Sequence, residues 1–226
     1  MRLVLFDWDG TIVDSIERHF EAYAVVCRRF DLPFDRAVFR QAYAPDWRLM
    51  YRQLGMPEVR IEEAGRLWRE AFAGHEGPPF PGVRPALERL AAAGPVLGLV
   101  TGGHHEIIWP QLERYGLARL FPVRVFGNDT IAGKPRPDPL RLAMARAERL
   151  LEGRRGRSAD GLPAATVYVG DALDDMRMAA AAGVHAVGIV SLLADGDALR
   201  EAGASETAES VVAWVERRLA AASARV

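Results

Sequence analysis

The chain has 226 residues and a mass of 24.9 kDa, and half of its residues are apolar, enough to bury the core of one ordinary domain or two small ones. That composition excludes extensive disorder and a disulfide scaffold; the lone cysteine, Cys27, reads as a buried, reduced thiol. A formal charge of −1 and a pI near 6.5 supply no general attraction for nucleic acid or an anionic membrane.

The opening MRLVLFDWDG lacks the long apolar region and small-residue cleavage site of a secretory signal. No run approaches the roughly 18–20 uncharged residues that span a bilayer, so a soluble, cytoplasmic protein is expected. Residues 2–6 are the first of five short β-rich apolar runs, followed by 95–100, 123–126, 166–169 and 185–190. The near-continuous Leu, Val and Ile or Tyr content of the first, second and fourth suits parallel strands buried on both faces. The gap between the first two runs is far longer than a crossover helix requires. Within it, residues 17–30, 36–43, 47–54 and 62–73 carry helical patterns, and 74–82 is a Gly/Pro-rich hinge. A helical domain over residues 15–79 is therefore expected inside a core of 1–14 and 80–226. Further helices are expected at 83–93, 107–115, 140–151, 174–182 and 208–221, with Gly94, Gly116 and Gly183 where C-caps are wanted. Residues 152–163, polar and glycine-rich, read as a surface loop. Strands alternating with helices make an α/β fold with a parallel sheet.

Four polar clusters fall at the carboxyl ends of strands, where open α/β sheets bind ligands. They are Asp7-Trp8-Asp9-Gly10-Thr11, Thr101-Gly102-Gly103, Gly133-Lys134-Pro135-Arg136-Pro137-Asp138 and Gly170-Asp171-Ala172-Leu173-Asp174-Asp175. Each alone is an ordinary turn or N-cap sequence. Together they bring five carboxylates to one sheet edge. Like charges about 4 Å apart repel by about 4 kcal/mol even at an effective dielectric of 20. A hard divalent cation resolves that repulsion, and oxygen ligands with a partly open shell suit Mg²⁺. Lys134 is the only lysine among 29 basic residues. Where arginine serves everywhere else, a retained lysine marks a place for a compact ammonium on a flexible stem.

In this order and spacing, DWDGT, Thr101, Lys134 within GKPRPD, and GDALDD resemble the haloacid dehalogenase superfamily, in the class with a helical cap between its first and second motifs. The resemblance spans essentially the whole chain. It implies a Rossmann-like core with strand order 3-2-1-4-5 and an inserted α-helical cap. It also implies an Mg²⁺-dependent phosphatase acting on a small phosphomonoester, phosphoglycolate being the nearest family analogue. Asp7 would be the nucleophile that carries the phosphoryl group, and Asp9 the acid and base. Asp7, the Asp9 backbone carbonyl, Asp171 and Asp175 would surround the metal. Thr101, the Gly102 N–H and Lys134 would hold the phosphoryl oxygens.

Gly102 and Ala172 depart from the family's usual Asn or Ser and Ser, which removes side-chain contacts but no group the chemistry requires. His19 and Arg48 are the candidate cap contacts, with Trp47 and Tyr43 beside them; Phe72, Leu67 and Trp68 read as packing. His104 and His105 read as solvated or capping residues at a helix start. Asp9 argues against a dehalogenase, and a cap without lysine against a phosphonate hydrolase. A β-phosphoglucomutase-like transferase ranks second, with Arg48 or Arg52 gripping a second phosphate. A non-catalytic binding protein on the same scaffold would have lost Asp7 or Lys134. Monomer and homodimer both remain open.

Overall fold

The computed structural model describes residues 1–44, 46–73, 77–155 and 161–224. Six parallel strands form one sheet in the order β3-β2-β1-β4-β5-β6. They are β1 (Leu3–Phe6), β2 (Val96–Val100), β3 (Val123–Val125), β4 (Thr166–Gly170), β5 (His185–Ile189) and β6 (Glu206–Ala208). The expected Rossmann-like order is thus present and extended by one strand. Pleating sends alternate residues to opposite faces. Val4, Phe6, Leu97, Leu99, Val167 and Val169 pack on one side against α5 (Val83–Ala92), α6 (His105–Arg114) and α10 (Val211–Ser223). Leu3, Leu5, Val100, Val125 and Tyr168 pack on the other against α7 (Asp138–Arg155) and α8 (Leu173–Ala181). Both faces are covered, which is why these strands carry no polar alternation.

Between β1 and β2 the chain forms α1 (Ile16–Arg29), α2 (Arg36–Ala42), α3 (Trp47–Gln53) and α4 (Ile61–Phe72), with a 3₁₀ turn at Glu58–Arg60. Asp35 and Asp46 cap α2 and α3 by accepting from backbone N–H groups one turn in. These helices share an aromatic-rich core of their own that includes Tyr23, Phe39, Met50 and Tyr51 and continues onto Ala172 and Leu193 of the sheet domain. Cys27 is fully buried within it. Two chain segments connect the insert to the sheet, and they are stitched together: Asp14 N–H donates to Pro78 O (2.9 Å) and Phe80 N–H to Ile12 O (3.0 Å).

Three expectations need correction. The helix expected at 208–221 starts three residues later: β6 ends at Ala208, and α10 begins at Val211 behind a Ser210 cap that accepts from Ala213 N–H. Glu206–Ala208 and the short α9 (Gly196–Glu201) escaped notice because neither carries an apolar run. The loop expected at 152–163 is helical as far as Arg155, and its residues 156–160 lie outside the described residues, as do 74–76 of the expected hinge.

Candidate active site

Register alone gathers the site. Phe6, the last residue of β1, lies opposite Leu99 of β2 and Val169 of β4, which each run one residue further, and Asp7, Thr101 and Asp171 follow at one edge. Asp7 N–H extends the ladder by one rung, donating to Val169 O (2.8 Å). Asp7, Asp171 and Asp175 each turn a carboxylate oxygen to a common point, the three atoms lying within 4.8 Å of one another. Gly10 faces this cluster with φ +71°, and a Cβ there would sit 2.2 Å from Asp171 Oδ2, so the turn admits only glycine.

Lys134 enters from the loop before α7. Its Nζ donates to Asp7 Oδ1 (2.6 Å) and pairs with Asp175 Oδ1 (2.7 Å), and its side chain is only 4% exposed. Tyr168 O–H also donates to Asp175 Oδ1 (2.9 Å), and Ala172 N–H to Asp175 Oδ2 (3.1 Å). Asp171 Oδ1 accepts from Thr11 (3.2 Å), but its Oδ2 is buried without a hydrogen-bond partner among the described residues. Burial, then the charges of Asp175 and Asp7, push Asp171 well above the usual carboxylate range, despite opposing hydrogen bonds from Ser191 and Thr11. Asp7 is pushed up to about 7 by burial, with Asp175 and Asp9 adding to it and Lys134 opposing. Burial disfavours the Lys134 charge, but Asp175 and Asp7 together outweigh it and hold the ammonium protonated well above its ordinary range.

These residues fit a divalent cation. Three buried carboxylates gather around one ammonium that pairs with two of them, and the third, Asp171, keeps a buried oxygen with no donor among the described residues. An all-oxygen set of this kind is the donor chemistry of a hard ion.

Asp9 and Asp174 stand apart from the cluster. The Asp9 carboxylate accepts from Ser15 O–H (2.6 Å) and meets His19 Nε2 at 3.3 Å. Burial opposes its charge, yet the contacts with His19 and Ser15 prevail and hold its carboxyl below the ordinary value. Asp174 pairs with Arg177 on the surface, so three of the five expected carboxylates converge. Thr101 is buried at the end of β2 with its Oγ1 accepting from Gly103 N–H (3.0 Å); Gly102 lies between them.

His19 sits in an aromatic box, with ring centroids 5.3 Å from Trp68 and 4.7 Å from Phe72, which stack on each other at 4.6 Å. Arg48 is held by Glu62 (2.7 Å) and lies over the Trp47 ring (4.1 Å). Tyr43, half-buried, lies in the field of the same carboxylates: burial, then the charges of Asp171, Asp9, Asp7 and Asp175, hold its hydroxyl neutral far above its ordinary range. His104 faces Glu106, and His105 stacks on Trp109, consistent with surface roles. Ser15, Thr11, Tyr168 and Ser191 were not singled out from sequence. Only Thr11 carried a signal, as the last residue of DWDGT.

A family model described as haloacid dehalogenase-like hydrolase matches residues 4–189. A phosphoglycolate phosphatase of Escherichia coli K12 is 31% identical over 217 residues, covering 84% of this chain and 81% of that protein. A phosphorylated carbohydrates phosphatase of Thermotoga maritima is 30% identical over 216 residues, covering 90% and 92%. Among solved structures, one provisionally assigned as a beta-phosphoglucomutase of Thermotoga maritima superposes with a TM-score of 0.66 at 26% identity, covering 96% of this chain and 99% of that one.

Proposed function

The chain belongs to the haloacid dehalogenase-like hydrolases and is a phosphatase; from that premise we propose that it hydrolyses small phosphomonoesters by way of a phosphoryl group carried on Asp7. The observation that carries this reading is Lys134, the only lysine of the chain, buried between Asp7 and Asp175. A free carboxylate repels an anionic substrate. Lys134 neutralises Asp7 on the flank and leaves an ammonium donor for the phosphoryl oxygens.

Asp7 attacks phosphorus and the ester bond breaks; Asp9 gives its proton to the leaving oxygen. In the second half Asp9 takes a proton from water, which attacks the phosphorus and frees Asp7. Asp9 is suited to the base role as it stands, because His19 and Ser15 stabilise its charged form. For the acid role it must first gain a proton, and the negative charge of an arriving phosphate raises its proton affinity in the required direction. Thr101, the Gly102 N–H and Lys134 are assigned to the phosphoryl oxygens. Asp7, Asp171, Asp175 and the Asp9 carbonyl are assigned to Mg²⁺, which when bound neutralises the carboxylates and polarises a phosphoryl oxygen. The division into a core of 1–14 and 80–226 and a cap of 15–79 belongs to the same proposal, the cap excluding water and choosing the leaving group. Phosphoglycolate-like compounds are the first substrates to try.

The transferase reading is weaker on this structure. It needs free basic residues in the insert for a second phosphate, but Arg48 and Arg52 are committed to Glu62 and Glu58. Assay of Asp7→Asn against the unaltered protein with p-nitrophenyl phosphate and Mg²⁺ tests the proposal. A loss of about 10³-fold or more is expected, as for removal of a covalent nucleophile. Equal rates would end it.

A further inference from the structure

Asp7 and Asp9 flank Trp8, whose indole is fully buried. Its Nε1–H donates to Gln111 Oε1 (3.0 Å), and Gln111 in turn donates from Nε2 to Ile107 O (3.2 Å), one turn back along α6. The indole stacks on Tyr115 at the end of α6, with ring centroids 6.4 Å apart and planes at 23°. The Tyr115 hydroxyl then leaves the sheet domain's own bonding and donates to Gly77 O (3.0 Å), at the start of the return segment of the hinge. Gly77 is pressed against the outgoing segment so closely that a Cβ would lie 1.8 Å from Asp14 O. Beyond it the two segments are joined by the Asp14–Pro78 and Phe80–Ile12 hydrogen bonds. On the near side, Trp8 O accepts from the N–H groups of Ile12 (2.9 Å) and Val13 (3.1 Å), closing the turn that carries Asp9 and follows Asp7.

We infer that Tyr115 is a positioning residue whose hydroxyl ties the hinge at Gly77 to the indole between Asp7 and Asp9, so that the insert's angle and the aim of the reactive loop are set together. No residue of this chain of contacts touches substrate in the proposed mechanism. The geometry is independent of the reaction, but the kinetic consequence rests on the phosphatase reading. If the insert swings at this hinge as substrate enters, Gly77 moves with it, and Tyr115 transmits the movement to the segment that aims the nucleophile.

Tyr115→Phe removes the hydroxyl and keeps the ring. The control is Tyr51→Phe, which removes another tyrosine-to-carbonyl bond, from Tyr51 to Ala64 (3.2 Å), wholly inside the insert. Hydrogen exchange at the amides of Asp14 and Phe80 should quicken about five-fold or more in Tyr115→Phe, the equivalent of one neutral hydrogen bond. It should be unchanged in Tyr51→Phe. Unchanged exchange in Tyr115→Phe, or equal acceleration in both, overturns the tether whatever the activity. In the same variant, kcat for p-nitrophenyl phosphate with Mg²⁺ should fall about five-fold while KM stays within about two-fold, because aim and not uniform binding is lost. A raised KM at constant kcat, or an equal kcat loss in Tyr51→Phe, also overturns it. Should the unaltered protein turn over no phosphomonoester, the phosphatase reading fails and the exchange comparison still decides the tether.

Discussion

The carboxyl edge of the sheet and the outer surface of the insert both pair cations with carboxylates, and they do so in opposite ways. On the insert, Arg48–Glu62, Arg52–Glu58 and Arg36–Glu17 are two-residue pairs of long side chains, each about half exposed. Water screens them, and such pairs are worth about 0–1 kcal/mol. At the sheet edge one ammonium serves two buried carboxylates, and a third lies beside them without a cation of its own among the described residues. The first arrangement is neutral and complete. The second is short of positive charge, and a site left in that condition inside a folded protein is organised for a charged ligand more than for stability.

The sharpest way to break the contrast is to remove the shared cation. Lys134→Met should lower kcat by about 10²–10³-fold, the usual cost of one preorganised donor to a developing charge. It should also destabilise the fold by about 3 kcal/mol, because Asp7 and Asp175 are left buried and unpaired. Steady-state assay and thermal unfolding check the two parts. Neutralising any surface arginine of the insert should do neither.

Next in size is the response to a divalent ion. Saturating Mg²⁺ should raise the melting temperature by about 5 K, and Asp171→Asn should abolish the rise. The increment should depend on pH with a definite sign. Asp7 has its proton affinity raised on folding, from 3.8 to about 7, so without metal the native state holds a proton that the unfolded chain has released. That contribution to stability is complete below about pH 4 and is lost as pH rises through about 7. A cation takes the proton's place, so the Mg²⁺ increment should be larger at pH 8 than at pH 5. Melting curves with and without Mg²⁺ at both values read this directly, and an increment that shrinks toward alkaline pH would contradict it.

How much of this was legible in the sequence divides along the same line as the charges. Strands β1, β2, β4 and β5 were plain because burial on both faces leaves uninterrupted apolar runs, and their carboxyl ends delivered Asp7, Thr101 and Asp171 by register. Lys134 was legible because it is solitary. Strand β6 was not, since Glu206–Ala208 is an edge strand of three residues with its pattern set by neighbours and not by its own composition. The convergence of five carboxylates was an overcount: Asp9 turns to Ser15 and His19 and Asp174 to Arg177, because a side chain's direction beyond the end of a strand depends on the turn that follows. From sequence Arg48 stands ahead of Trp47 and Tyr43, since tryptophan at helical spacing usually belongs to a core. Sequence could not reveal that Glu62, fourteen positions away on another helix, already holds that guanidinium.

The smallest effect tests that last substitution of one candidate for another. Arg48 ends in a bidentate contact, through Nε at 3.0 Å and Nη2 at 2.7 Å, to Glu62 Oε1, with both side chains close to half exposed or more. Arg48→Ala should therefore cost under about 1 kcal/mol of stability and leave kcat/KM within about two-fold. Tyr43 differs because its half-buried side chain carries a hydroxyl that lies in the field of four aspartates and stays a neutral donor. Tyr43→Phe deletes that donor without changing the ring's packing on Phe39, so kcat/KM for a phosphoglycolate-like substrate should fall about five-fold with little change in melting temperature. The two variants measured side by side decide whether the insert reads its substrate through a charge or through a neutral hydroxyl. A larger loss in Arg48→Ala would mean that the Glu62 pair opens on binding and that the exposed face belongs to the site after all.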